Sequence, residues 1–397
     1  MRIFFLSFMI LALAEAQSIH QLIQYSIKKH PSLKSIEHRL SAMDERIEKT
    51  QKWENPDLSF TINDIQFRKP LGRTAERMQY QAVNFKQKFP WFGKRKASKK
   101  VAQEEKRVVF HTLKSAQVTL AYNIRIASYT IKELESRIDI LNKYKHLAKQ
   151  NIELFTKYIA TDTMSHTDSV NAELSLSNIE IRLEKYKSIL KTQKEKLNYL
   201  VQKRVKKISN VLKINKPKSL RYYLSHMKKN PQYHMKLAKH KVAMANKNLI
   251  DMEKNPDPYV KVGYFNRTIF PDYATISVGV SLPIYGTEAL NSEIAQKEAL
   301  ASQSESIDYK SFLESEIRTN YVKLTETYRI YNIIQHKSLP QLNHMLELSA
   351  TAIEEGASLL TYTNTLEQKL TLEEERISII AEFVRTKAKL LSLIGVI

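Results

Sequence analysis

Cysteine is absent from the 397 residues. That excludes disulfides, thiolate chemistry and cysteine-type zinc sites, and also the lipid-bearing cysteine that would anchor a lipoprotein. Glycine occurs 7 times and proline 11 times. Gly-rich phosphate cradles need more glycine than this, and neither GxGxxG nor GxxxxGK[ST] occurs. Beyond the N-terminus no stretch approaches the roughly eighteen apolar residues of a transmembrane helix. No nucleophile-elbow context exists either. The sequence therefore names no catalytic residue, no cofactor-binding residue and no cofactor, and an enzyme is not expected.

Carboxylates are also few. Lys and Arg total 63 against 41 Asp and Glu, a net charge of +22. Such a balance suggests nucleic acid or an anionic membrane surface. The cations, however, are spread along the whole chain on helical faces that water should cover, so no nucleic-acid partner is expected. Three His-Met pairs stand out: His226-Met227, His234-Met235 and His344-Met345. No HxxxH lies on one helical face beside a carboxylate, so no metal ligand is assigned.

The chain opens with MRIFFLSFMILALAEAQS. A basic start at Arg2, an apolar run from Ile3 to Ala14 and small residues at Ala14 and Ala16 read as an export signal cleaved after Ala16.

The rest of the chain carries one pattern twice. HPSLKSIEHRLSAMDERIEKTQKWENPD begins at His30, and NPQYHMKLAKHKVAMANKNLIDMEKNPD begins at Asn230. Each has an X-Pro start, an amphipathic run and an Asn-Pro-Asp stop, and the stops end at Asp57 and Asp257, 200 residues apart. Pro90 and Pro283, Gly93 and Gly286, and Ala102 and Ala295 come next at a spacing of 193. Thr167 and Thr363 open similar runs 196 apart. Repeats of this kind decide a fold before any single element does.

Within each copy the period changes. Leu58, Phe60 and Ile62 alternate with Ser59, Thr61 and Asn63; Val83, Phe85 and Phe89 oppose Asn84, Lys86 and Lys88. Val260, Val262 and Tyr264, then Ile276, Val278, Val280 and Leu282, do the same in the second copy. These are strands with one apolar face, about ten residues long, the length that crosses a bilayer in a β-barrel. After each corner comes a long run with helical spacing. Ile124, Ala127, Ile131, Leu134, Ile138 and Leu141 form a coiled-coil seam, as do Ile317, Tyr321, Leu324 and Tyr328. Residues 94–157 would span roughly 96 Å as one helix. Pro340 should kink the second long helix or end a segment of it.

The corners themselves are FPWFGKR and SLPIYG. Proline suits a strand end because it cannot donate to the ladder, and glycine permits the sharp change of direction. Trp91, Phe92 and Tyr285 fall where a membrane barrel carries its aromatic girdle.

The resulting plan is a signal peptide at 1–16 and a first repeat at 17–202. A linker occupies 203–229, then a second repeat 230–397. Strands are expected at about 57–67, 79–89, 257–267 and 273–283, and helical hairpins at 94–202 and 287–394. The class is mainly α with a small membrane β part. Four strands cannot close a barrel, and lipid does not tolerate open edges. Copies of the chain must therefore share one barrel; three would give twelve strands.

The Asn-Pro-Asp strand entries, FPWFGKR, SLPIYG and the twofold repeat resemble the TolC-type outer-membrane efflux channels over residues from about 20 to 397. The resemblance implies a homotrimer with a 12-stranded β-barrel in outer-membrane lipid, continuous with a long periplasmic α-helical barrel. It implies as partners a periplasmic adaptor (membrane fusion protein) and an inner-membrane pump of the RND type. FPWFGKR is similar to members of the heavy-metal cation efflux branch. Thr167-Asp168 matches the family's Thr-Asp just past the first hairpin tip, which makes Asp168, with Thr167 and the tip residue Asp162, the gate candidate. Gly356 keeps the tip glycine of the second hairpin. The first tip has Ala160-Thr161-Asp162 instead, and Ser358 stands where the family can show an arginine.

Two other functions fit parts of this pattern. A periplasmic coiled-coil adaptor would need one hairpin set in compact Gly-rich β domains, whereas this chain has two hairpins and 7 glycines. Within the family, a duct for drugs or for type I protein secretion differs only in cargo.

Overall fold

The structure, a computed structural model, describes residues 17–70, 72–159, 166–209, 212–354 and 359–397. The signal segment 1–16 lies outside them. The chain divides into two compact units, and each draws on both copies of the repeat. One holds residues up to Lys34, Lys114–Asn230 and Ser311–Ile397; the other holds Ser35–Leu113 and Pro231–Lys310.

The first unit is helical. It contains α1 (Ile19–Lys29), most of α3 (Lys94–Ile159), α4 (His166–Val201), α5 (Leu220–His226), the later part of α7 (Thr287–Ile333), α8 (Leu339–Glu354) and α9 (Leu359–Leu393). A capping box starts α1: Gln21 N–H donates to Ser18 Oγ at 3.2 Å and Ser18 N–H to Gln21 Oε1 at 2.8 Å. Ser26 Oγ then donates to the Leu200 carbonyl at 2.6 Å, which fastens α1 to the end of α4. The coiled-coil seams are buried as their spacing requires. Ile124, Ile131 and Leu141 on α3, Ile317 and Leu324 on α7, and Ile377 on α9 all lie in the core. One cluster joins Leu141, Tyr144 and Ala148 of α3 to Ile179 and Leu183 of α4 and to Leu366 and Leu370 of α9.

The linker is partly ordered as helix. Before α5 it forms a parallel bridge, with Gln17 N–H donating to Lys207 O at 3.2 Å and Ser209 N–H to Gln17 O at 3.1 Å. At Pro340 the outcome is a break in the long run: α7 passes into a π-helical turn, Ile334–Ser338, before α8 begins. Proline is tolerated there because it falls in the first turn of α8, and the π turn absorbs the register change.

The second unit holds α2 (Pro31–Lys49) from Ser35 on, α6 (Pro231–Asp251), the starts of α3 and α7, and one antiparallel sheet. Its strands are β1 (Asp57–Ile62), β2 (Tyr80–Lys88), β3 (Pro258–Arg267) and β4 (Tyr273–Val280), in that order across the sheet. β1 is shorter than its alternation suggested. It stops at Ile62, and two residues on Asp64 takes φ 58°, a left-handed conformation that ends an extended run. β4 stops at Val280, ahead of Pro283. The helices of this unit bury small residues, with Ala102, Ala238, Ala245, Ala295 and Ala299 each nearly inaccessible.

Candidate functional site

The pairing register aligns the strand faces. Leu58 lies opposite Phe85, Phe85 opposite Val262, and Val262 opposite Ile276. This apolar row crosses all four strands, and its ends are exposed, Leu58 at 74% and Ile276 at 76%. Phe60, Val83 and Tyr264 form a second such row. The other face is polar: Ser59, Asn84, Gly263 and Thr275 make one row, and Asp57, Lys86, Lys261 and Ser277 another. A Cβ at Gly263 would fall 2.7 Å from Asn84 Oδ1 and 2.7 Å from the Phe265 ring, so any larger residue there would have to displace those side chains. A sheet in water would bury the apolar rows and wet the polar ones. In this one the apolar rows are exposed while Asn84 and Gly263 at the middle of the polar face are buried, the pattern of a transmembrane barrel wall. The outer sides of β1 and β4 have no strand partner among the described residues.

Both corners turn on a left-handed glycine, with φ 89° at Gly93 and 75° at Gly286. The first corner is braced by the second copy. Phe89 N–H donates to Pro258 O at 2.8 Å, and Trp91 N–H to Asp257 Oδ1 at 2.7 Å. Lys94 Nζ donates to the same Oδ1 at 2.8 Å and to Asn255 O at 2.7 Å. Trp53 meets Phe89 edge-on at 5.3 Å, with the Arg95 guanidinium over its ring. At the second corner Pro283 lies two residues before Tyr285, which is 88% exposed; at the first, after Pro90, Phe92 is 92% exposed and Trp91 less so. Exposed aromatics at the ends of an apolar sheet are what a lipid–water boundary selects.

The gate candidates are not brought together by anything described. Asp162 and Gly356 lie outside the described residues. Thr167 and Asp168 open α4, and only their backbone is described.

A charged group not anticipated from the sequence lies in the helical unit. Glu133 of α3 accepts from Arg137 Nη2 at 2.9 Å through one oxygen and from Arg385 of α9 through the other. Glu374 of α9 pairs with Arg182 of α4 and faces Arg137 Nη1 at 3.9 Å. Arg137 Nη1 also donates to Tyr186 Oη at 3.1 Å. Both carboxylates are largely buried, so their charges stand only because several guanidiniums surround them. The Glu133–Arg137 step of four was visible in the sequence. Arg182, Glu374 and Arg385 carried no signal, because only helix packing brings them there.

Among the described residues no three His, Asp or Glu side chains converge as a metal-holding group. No helix among them is long and apolar enough to cross a membrane. Neither fact bears on a β-barrel.

Residues 22–201 match the outer membrane efflux protein family. The family is described by its place, the outer membrane, and by its task, efflux, rather than by a reaction. The whole fold agrees. CusC, solved in a study of folding and transmembrane channel formation, superposes with a TM-score of 0.80 at 12% identity, covering 97% of this chain and 96% of that one. The outer membrane protein VceC of Vibrio cholerae gives 0.79 at 15%, covering 95% and 96%. The CmeC outer membrane channel of Campylobacter jejuni gives 0.78 at 12%, covering 95% and 85%. At these identities the likeness establishes the fold. No curated protein matches the chain.

Proposed function

We propose that the chain is the outer-membrane duct of a three-part efflux system, a passive channel from the periplasm to the exterior. The observation that carries this reading is the sheet: four strands, apolar outward, with both edges open. In lipid an open edge leaves backbone donors and acceptors without partners at several kcal/mol each. Copies of the chain close the sheet on one another. The start of β1 and the end of β4 lie at the same end of the sheet, because Asp57 faces Lys86, Lys88 faces Tyr259 and Pro258 faces Val280. A β4 of one copy therefore runs antiparallel beside the β1 of the next, and Leu58 and Phe60 continue the apolar face of Val278 and Val280. Three copies make twelve strands, within the range of membrane barrels.

The helical hairpins then serve as the periplasmic passage, reaching an adaptor and an inner-membrane pump. The FPWFGKR corner favours heavy-metal cations as cargo, and the gate is assigned to Asp168, Thr167 and Asp162, with Gly356 at the second tip. The test is reconstitution. The detergent-extracted protein should have a trimer's mass by light scattering and should conduct in planar bilayers. A monomeric mass, or a trimer that never conducts, overturns the reading; a scaffold protein would behave in the second way.

A further inference from the structure

The two corners are copies in sequence but not in surroundings. At the first, an ideal Cβ on Gly93 would meet Met252 Cε at 3.3 Å; one on Gly286 would meet no atom within 4 Å beyond its chain neighbours among the described residues. The first corner's Trp91 N–H has the Asp257 carboxylate. Its counterpart at the second corner, Ile284 N–H, closes only a tight loop onto Leu282 O at 3.0 Å across Pro283. Lys94 reaches Asp257 and Asn255, whereas Thr287 Oγ1 turns back to the adjacent Glu288 at 3.1 Å. Leu282 and Ile284 are both mostly exposed.

The second copy thus supplies Met252, Asn255, Asp257 and Pro258 to the first corner. The first copy holds the matching set, Lys52, Asn55, Asp57 and Leu58, at the same places around its own Asn-Pro-Asp stop. In its own chain that set braces no corner: Asp57 is exposed at the open edge and its carboxylate has no partner among the described residues.

We infer that Asp57 is an intersubunit latch. Its carboxylate accepts the Ile284 N–H of a neighbouring copy, and with Asn55 and Leu58 it completes that copy's second corner as Asp257 completes the first. The inference rests on the closed-sheet reading under Proposed function and adds to it the residue that fixes register between copies. Charge supports it. A carboxylate at the end of a membrane strand is costly unless it accepts hydrogen bonds, and a charge-assisted bond to a backbone N–H is among the stronger ones. Closing the edge also gives every corner the same brace, as a ring of quasi-equivalent joints requires.

The test uses the full chain in mild detergent. In Asp57→Cys/Ile284→Cys, oxidation should link copies into covalent dimers and trimers on a denaturing gel. The control Trp91→Cys/Asp257→Cys should link within one chain and leave the mass unchanged. Asp57→Ala should dissociate about tenfold faster than the parent, the effect of losing one such bond, while Asp57→Asn, which keeps an acceptor, recovers most of the difference. Circular dichroism should be unchanged in all. A trimer that shows no Asp57–Ile284 cross-link, or whose dissociation ignores Asp57→Ala, overturns the latch and leaves the barrel standing. A monomeric mass for the parent overturns the barrel reading itself.

Discussion

The carboxylate of Asp257 accepts the Trp91 backbone N–H at 2.7 Å, so the stop signal of the second copy holds the strand–helix corner of the first. Lys94 shares the same oxygen at 2.8 Å, and Lys88 lies 3.9 Å from the other. Asp257→Ala strands a backbone donor and two cations together. The expected cost is about 2 kcal/mol, the value of a hydrogen bond to a charged group. Asp257→Asn, still an acceptor, should lose about half of that. Thermal unfolding followed by tryptophan fluorescence reads both, and equal midpoints for Ala and the parent would show that the corner stands without its brace.

The two faces of β4 should respond in opposite ways to a charge. Ile276 belongs to the apolar row, and its neighbour Ser277 to the polar one. Ile276→Arg places a guanidinium in lipid at about 2–4 kcal/mol and should sharply reduce the amount of assembled trimer in outer-membrane fractions. Ser277→Arg should assemble normally and shift conductance toward anions. Equal assembly of the two variants would mean that β4 does not face lipid.

His111 of α3 and His234 of α6 stack at 5.2 Å with their rings nearly parallel. Burial holds the His111 pKa below its ordinary 6.5, and the His234, Arg107 and Lys241 charges push it further down. The unfolded chain therefore takes up the proton first. The stability from this site is fully present above pH 6.5 and is lost as the pH falls through the lower folded value. His111→Phe keeps the ring and removes the titration, so its melting temperature should fall less than the parent's between pH 6.5 and pH 5. Parallel curves for the two proteins would remove His111 from the acid response.

We propose that Asp168, just past the first hairpin tip, sets cation preference as well as serving as a gate residue. Three copies would set three carboxylates around one axis, where a narrow passage screens them weakly. Asp168→Asn should lower cation-over-anion permeability and weaken block by divalent ions, with trimer stability unchanged. Single-channel recordings in symmetric and asymmetric salt decide this. Wild-type selectivity in the variant would make Asp168 a surface carboxylate.

The sequence alone determined the duplication, the strands, the corners and the helical seams. Each is a local or periodic property: alternation at Leu58, Phe60 and Ile62, three-and-four spacing from Ile124 to Leu141, and Pro-then-Gly at Pro90 and Gly93 are all written within a few residues. Strand ends were less legible, because the turn at Asp64 is a backbone choice that no pattern enforces. The relations between distant residues came only from the tertiary structure. Nothing near Asp57 or Asp257 says that one is fastened and the other free. That difference arises because β2 and β3 pair within the chain while β1 and β4 are left at the edges. Likewise Glu133, Arg182, Glu374 and Arg385 are ordinary helix-surface charges until three helices pack, and burial then makes each depend on the others.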